Sequence, residues 1–586
     1  MYFILVIALS SVTLSEQVPY RFRTIIGDPE DMSDHTAPQE KCEWPRPHRL
    51  YPNTVQIGVI LPYSGDYPWG IKMALPAIIL ALENVTNDSD LLRGLTVHVN
   101  VEDSDCSETI GPLAAINMYI NQSADVFFGP ACAYSVAPVA RFSKFWGIPV
   151  LSAGALVAAF KDKTEYRLLT RVQGTHAKVS EFVLQLFKSY SWSHAALLYN
   201  DVTRSPNSEK RTCYFSAEAI FLDLLEYFGR RPYNKRFDER SHLVDYAELL
   251  KGASSQARVI VLCASPDSVR EIMIKAHELN FDNGEYVFFN IDLFSSQNTT
   301  SQPWYRADDT EQRNADARVA YESLMTVTLR KPTGAEYRKF SEDVKERAAQ
   351  MYENFTFGEQ EVNSFVGAFY DAVILYALAL NETLEAGGNV SDGLNITRRM
   401  WNRTFTGITG TVSIDSNGDR NADYSLLDLN PETESFEVVA NYFGNSKEYT
   451  PYKGRMIHWA GGRKEPPPDV PKCGFDGSKC PPKAPFPGYA IMTIVLVSIL
   501  IIVLIITFFV YRHYRQEAEL AEMNWRVRWE DILFSGPMRS DRRSERGSSQ
   551  KDSYRSDCSD DTIAVHLNDV GNRQLFTRTG YYKVPP

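Results

Sequence analysis

The residues of this chain best suited to chemistry are oxygen ligands and cysteines. In IDSNGDRNADYS, Asp415, Asn417, Asp419, Asn421 and Asp423 occupy alternate positions, the spacing from which calcium loops draw their ligands. A calcium-binding EF-hand loop also needs Gly at its sixth place and Glu at its twelfth, and here those hold Arg420 and Leu426. The run therefore reads as a polar hairpin turn between strand-like GTVSI and DYSLLDL. No metal is expected. Cys473 and Cys480 form a lone C-x6-C pair, which without a second pair or a His is read as a small closed loop rather than a zinc site. There is no G-x-S-x-G elbow and no H-E-x-x-H helix, so no hydrolase constellation is read.

The elements that must position these residues alternate in type. TVQIGVIL, from Thr54, precedes an amphipathic stretch over 69–83, and LTVHVNV, from Leu95, precedes a helical run over 110–120. DVFFGP leads into a helix over 135–146, IPVLSAG follows, and the rhythm returns in HAALLYN, ARVIVLCA and EYVFFNI. Short β-branched and aromatic runs separated by helices predict an α/β fold with parallel sheets covered on both faces. A region of this length divides into two lobes around a cleft, where ligands of such folds gather.

One segment is of another kind. From Tyr489 to Tyr511 the chain reads YAIMTIVLVSILIIVLIITFFVY without charge, Pro or Gly, long enough to cross about 30 Å of hydrocarbon. Arg512, His513 and Arg515 follow it and mark that end as cytoplasmic. Phe3–Leu14 is a shorter apolar run with the look of a signal-peptide core. Sequons at Asn84, Asn87, Asn121, Asn298, Asn354, Asn381, Asn389, Asn395 and Asn402 all precede the membrane run, as glycosylation outside the cell requires. Seven of the eight cysteines share that side, the oxidising one. A net charge of −12 spread along the chain argues against a nucleic-acid partner. The expected organisation is a signal peptide (1–16), an N-terminal extension (17–53), a bilobed ectodomain (54–462), a Pro/Cys-rich stalk (463–488), a membrane helix (489–511) and a cytoplasmic tail (512–586). Single-pass type I topology at the plasma membrane follows.

Several strings are specific enough to suggest kinship. VEDSDC, FGPACAYSVAPVAR, PVLSAGAL, TCYF, YVFFNIDLF and MWNRTFTGITGTVSIDSNGDRNADYS resemble the extracellular domains of natriuretic peptide receptors, over residues 55–443. PPPDVPKCGFD resembles the stalk of the cyclase-coupled members. NWRVRWEDILF and LFTRTGYYK resemble the juxtamembrane opening and first kinase-homology strand of receptor guanylate cyclases. The resemblance implies a type I periplasmic-binding-protein-like ectodomain that pairs as a homodimer, or as a heterodimer with a full-length receptor. It implies disulfides Cys106–Cys132 and Cys213–Cys263, each able to contribute about 3–4 kcal/mol by constraining the unfolded chain. Cys42 is left over, intermolecular or unexpectedly paired.

By the same resemblance Ser104, Ala131 and Cys132 would hold a chloride ion, a hydroxyl and two backbone donors forming an anion nest. Glu108, Tyr134, Arg141, Tyr199, Tyr214, Phe215, Glu218 and Phe237 would contact a peptide hormone, aromatic faces supplying area and charges supplying pairing. Arg236 stands where the cyclase-coupled relatives carry an acid, and Glu108 where they carry Asp. No Gly-rich phosphate loop, V-A-I-K lysine, HRD or DFG string is present. A non-catalytic peptide receptor is therefore expected, acting by clearance, as a decoy or by mixed pairing. An incomplete receptor guanylate cyclase is the alternative. Ser544, Ser548, Ser549, Ser553 and Ser556 lie in a polar tail read as a solvated linker open to phosphorylation.

Overall fold

A computed structural model describes residues 54–63, 67–88, 91–92, 94–202, 211–241, 243–293, 302–353, 355–358, 360–480, 487–521, 532–533 and 581–582. The expected signal peptide, Cys42, Asn298, Asn354 and the tail serines lie outside them. Two compact units divide the chain, residues 1–480 and 481–586.

The first unit begins with a five-stranded parallel sheet. Its strands are β1 (Thr54–Leu61), β2 (Thr96–Asp103), β3 (Val126–Phe128), β4 (Val150–Ser152) and β5 (Leu169–Arg171), in the order β2-β1-β3-β4-β5. Helices α1 (Ile71–Glu83), α2 (Ile110–Ile120) and α3 (Ala133–Trp146) are the crossovers. Seven of the eight β1 residues are buried, as an interior strand covered on both faces must be.

The chain then crosses into α4 (His176–Ser189) and a second sheet. Here β6 (Ala195–Asn200), α5 (Thr212–Phe228), β7 (Tyr233–Phe237), α6 (Tyr246–Ser254), β8 (Val259–Cys263), α7 (Pro266–Glu278), β9 (Val287–Ile291), α8 (Glu311–Tyr321) and β10 (Leu324–Leu329) repeat the alternation. From β10 it returns through α9 (Ala335–Met351), α10 (Ser364–Glu385) and α11 (Gly393–Met400), the first two against α1 and the last against β5. β11 (Arg403–Gly407) pairs with β12 (Gly410–Ile414), after which β13 (Tyr424–Asn430), β14 (Ser435–Phe443) and β15 (Glu448–Pro451) complete the second sheet. Its order is β15-β14-β13-β10-β9-β8-β6-β7. The expectation of parallel sheets holds for the first and only in part for the second, because β13 runs antiparallel to β10.

The Asp/Asn run is a polar turn as expected, closed by an antiparallel bridge between Ile414 and Arg420. Its tight turn is present, with Gly418 N donating to Asp415 O at 3.0 Å. Asn421 N donates to Ser413 O at 2.8 Å, and beyond that pairing the strands part, β12 belonging to a two-stranded sheet and β13 to the eight-stranded one. The run is the third crossing between lobes. Asp419 pairs with Arg171 and Lys163, and Asp415 with Lys178.

The start of the stalk is docked on the second lobe. Trp192 Nε1 donates to Pro467 O at 2.9 Å, and Asp469 accepts from Ser193 N, Ser193 Oγ and His194 N. Cys473–Cys480 closes its small loop.

The second unit contains α12 (Gly488–Ala521), which includes the whole apolar run. Ile494, Leu500 and Phe508 stand more than half exposed on it, as they would on a helix whose solvent is lipid. Helix α10 is also long and apolar enough to span, but it is mostly buried in the first unit. Ile532–Leu533 pairs antiparallel with Tyr581–Tyr582, joining the strings NWRVRWEDILF and LFTRTGYYK singled out above.

Candidate functional site

An aromatic ledge lies where α3 of the first lobe faces β6 and α5 of the second. Tyr199, near the end of β6, has its ring centroid 6.4 Å from that of Tyr214 on α5. Tyr214 and Phe215 are 5.3 Å apart, and Phe215 meets Tyr134 of α3 edge-on at 6.2 Å. All four are partly exposed. Four expected peptide contacts are thus brought into one row, and Glu218 joins them by accepting from Tyr214 OH at 3.2 Å.

Arg211, which the sequence reading missed, organises this row. Its guanidinium lies 4.4 Å from the Tyr214 ring centroid, and its Nη1 donates to Tyr134 OH at 3.1 Å. Nε donates to Asp201 Oδ1 at 3.0 Å. Burial works against the charge on Arg211, yet hydrogen bonds to Asp201 and Tyr134 outweigh it and raise its pKa. Asp201 itself is buried, and Arg236 Nη1 approaches its other oxygen at 3.6 Å. The only sequence signal for Arg211 was its place directly before TCYF.

The remaining expected contacts sit elsewhere. Arg141 is two turns beyond Tyr134 on the same face of α3, where it binds Glu165 and donates to Tyr166 OH at 2.8 Å. Glu108 is exposed in the turn before α2. Phe237 is 7% exposed and packs edge-on against Tyr246 in the second lobe's core, so it offers a ligand little surface. Cys213–Cys263 ties the start of α5 to the end of β8.

The expected anion nest lies at the N-terminus of α3. Cys106–Cys132 draws the Ser104 turn onto it. Ser104 is fully buried, and its Oγ accepts from Cys106 N at 3.3 Å. Cys132 caps α3 without a side-chain bond, which leaves amide donors at the positive end of the helix. Ser135 in its first turn is fully buried with no hydrogen-bond partner for Oγ. A Cβ on Gly111 would fall 1.9 Å from that oxygen. Before the turn, Gly129 holds φ +90°, and a Cβ there would lie 2.2 Å from Ile60 O, an approach open to glycine alone. Hydroxyls, helix amides and an unpaired buried Oγ suit a small anion. Ser135 and Gly111 were not found from sequence.

Of the nine sequons, seven are described and none is buried. Asn87, Asn121, Asn389 and Asn402 are exposed, while the Asn84 amide donates to Tyr370 OH at 2.9 Å. Among the described residues no cluster of His, Cys, Asp and Glu is arranged for a metal.

Two α/β lobes joined by three crossings, with a ledge spanning them, define a bilobed ligand-binding domain of the periplasmic-binding-protein type. Residues 73–432 match the receptor family ligand binding region. Atrial natriuretic peptide receptor 3 of Homo sapiens is 38% identical over 68% of this chain and 73% of its own length. Receptor-type guanylate cyclase gcy-28 of Caenorhabditis elegans is 37% identical over 84% of this chain, and human atrial natriuretic peptide receptor 2 is 31% identical over 90%. The chain belongs to this receptor family, that of the natriuretic peptide receptors and receptor guanylate cyclases. It spans 42% of the worm cyclase and 50% of receptor 2.

Proposed function

We propose that this protein is a cell-surface receptor for a natriuretic-like peptide hormone, glycosylated outside and anchored by α12. The observation that carries the reading is the ledge Tyr199–Tyr214–Phe215–Tyr134, which spans both lobes beside charged Glu218 and Arg236. Rigid aromatic faces bury large area at low entropy cost, which suits a peptide side chain better than a small solute. A chloride ion at Ser104, Cys132 and Ser135 would brace the start of α3, and with it Tyr134. Two copies are expected to pair around the ligand. Exposed Ile110, Leu113 and Ile120 along one side of α2 support a second copy as partner.

Within these 586 residues the role is binding, through clearance, as a decoy or by damping a longer receptor in mixed pairs. Titration calorimetry of the receptor with natriuretic peptides in chloride should show saturable binding; no heat with any of them would remove the hormone reading. A second reading is favoured by coverage of only about half of the cyclase relatives: the chain is the binding and juxtamembrane portion of a peptide-activated guanylate cyclase. A transcript continuing past Val584 into kinase-homology sequence, and cyclic GMP made by its product, would decide for it.

A further inference from the structure

The ledge has exposed charges of opposite sign at its two flanks. Glu218 stands on α5 one turn beyond Tyr214 and is exposed. Arg236 stands on β7, paired in register with Tyr199 of β6, and its side chain is 65% exposed. Between them, Asp201 is buried and already serves Arg211 through Oδ1. Its Oδ2 makes no hydrogen bond and lies 3.6 Å from Arg236 Nη1. Two guanidinium groups thus share a single carboxylate.

The other described acids nearby are engaged elsewhere. Glu239 accepts from Asn200 Nδ2 at 2.7 Å and from Ser265 N at 3.0 Å. Asp238 pairs with Arg240. Among the described residues Arg236 is therefore the cation at this corner that is exposed and incompletely matched, and it adjoins an aromatic face.

Resting on the peptide reading, we infer that Arg236 is a specificity-determining residue that receives a carboxylate of the bound peptide, from an Asp or Glu side chain or the C-terminus. Glu218 at the other flank favours a cationic group. A peptide carrying acid and base across an apolar residue is held in one orientation, because the reverse sets like charges against each other. A guanidinium forms two parallel bonds to a carboxylate, a geometry a lysine cannot reproduce.

The test uses the full chain in cell membranes and a ringed natriuretic peptide with each position replaced in turn by Glu, Gln and Lys, plus a C-terminally amidated form. At the responsive position, or at the free C-terminus, the acidic form should bind wild type about fivefold tighter than its neutral counterpart. Arg236→Gln should erase that difference and Arg236→Glu invert it in favour of Lys, with surface expression unchanged. The coupling should fade as salt rises. Peptides that bind with no acidic position coupled to residue 236 would overturn this assignment and leave the peptide reading standing. No binding by any peptide would overturn both.

Discussion

Arg171 and Asp419, 248 residues apart in the chain, form a two-pronged ion pair at 2.7 Å and 2.7 Å with both side chains buried. It joins the first crossing between lobes to the third, and the backbones pair beside it: Arg171 N donates to Gly418 O and Arg420 N to Arg171 O. Arg171 Nη1 also donates to Ala155 O and Val157 O, so the charge is well satisfied. Burial alone would raise the Asp419 pKa, but the Arg171 charge and hydrogen bonds hold it below the usual range.

Removing Arg171 leaves the buried Asp419 carboxylate with Lys163 Nζ at 3.6 Å and Asn417 Nδ2 at 3.3 Å in place of a two-pronged partner. Arg171→Met should cost about 3–5 kcal/mol in denaturant unfolding of the detergent-solubilised receptor. Since the folded pKa of Asp419 is depressed, its contribution is present above the unfolded value and lost as pH falls through the folded one. Arg171→Met should flatten acid unfolding in that range. A loss under 1 kcal/mol would show that the crossings are held by other contacts.

Asp428 on β13 behaves in the opposite sense. Burial, opposed by the His458 and Leu429 amides, pushes its pKa up to about 7. With the folded pKa raised, stability is greatest below the unfolded value and declines as pH rises through about 7. Asp428→Asn should therefore raise the melting temperature more at pH 8 than at pH 5. An equal shift at both would refute the assignment.

The proposed chloride site predicts a loss caused by one methyl group. Gly111→Ala places a carbon against Ser135 Oγ and should abolish the stabilisation that chloride gives over gluconate, read by thermal melting. Ser135→Ala should weaken the same response and spare the fold. If both variants keep the full chloride shift, the ion binds elsewhere or not at all.

The stalk clasp can be tested by proteolysis. Asp469 is held below the usual carboxylate range because hydrogen bonds from Ser193 and His194 outweigh its burial. Asp469→Ala should free the strand and speed tryptic cleavage after Lys464 and Lys472, both exposed. Unchanged cleavage would mean that Trp192 and the Cys473–Cys480 loop hold the stalk without Asp469.

Composition and period settled much of this molecule before any coordinates. Apolar runs a few residues long, separated by helical pattern, specify strands and crossovers because burial on both faces demands it, and the 110–120 helix falls on the residues expected. A 23-residue uncharged run is legible as a candidate membrane span, and its exposed apolar side chains set it apart from α10, which is also long and apolar enough to span but is buried in the core. Cysteine pairing and the row of ledge aromatics were legible through resemblance. What the chain alone left open is which polar groups meet across 200 residues. Asp419 reads as part of a turn, and only packing sets Arg171 against it; β7 turns Phe237 inward, and Arg211 carries no pattern of its own. Those outcomes depend on how two lobes pack, and long-range packing leaves no period in a sequence.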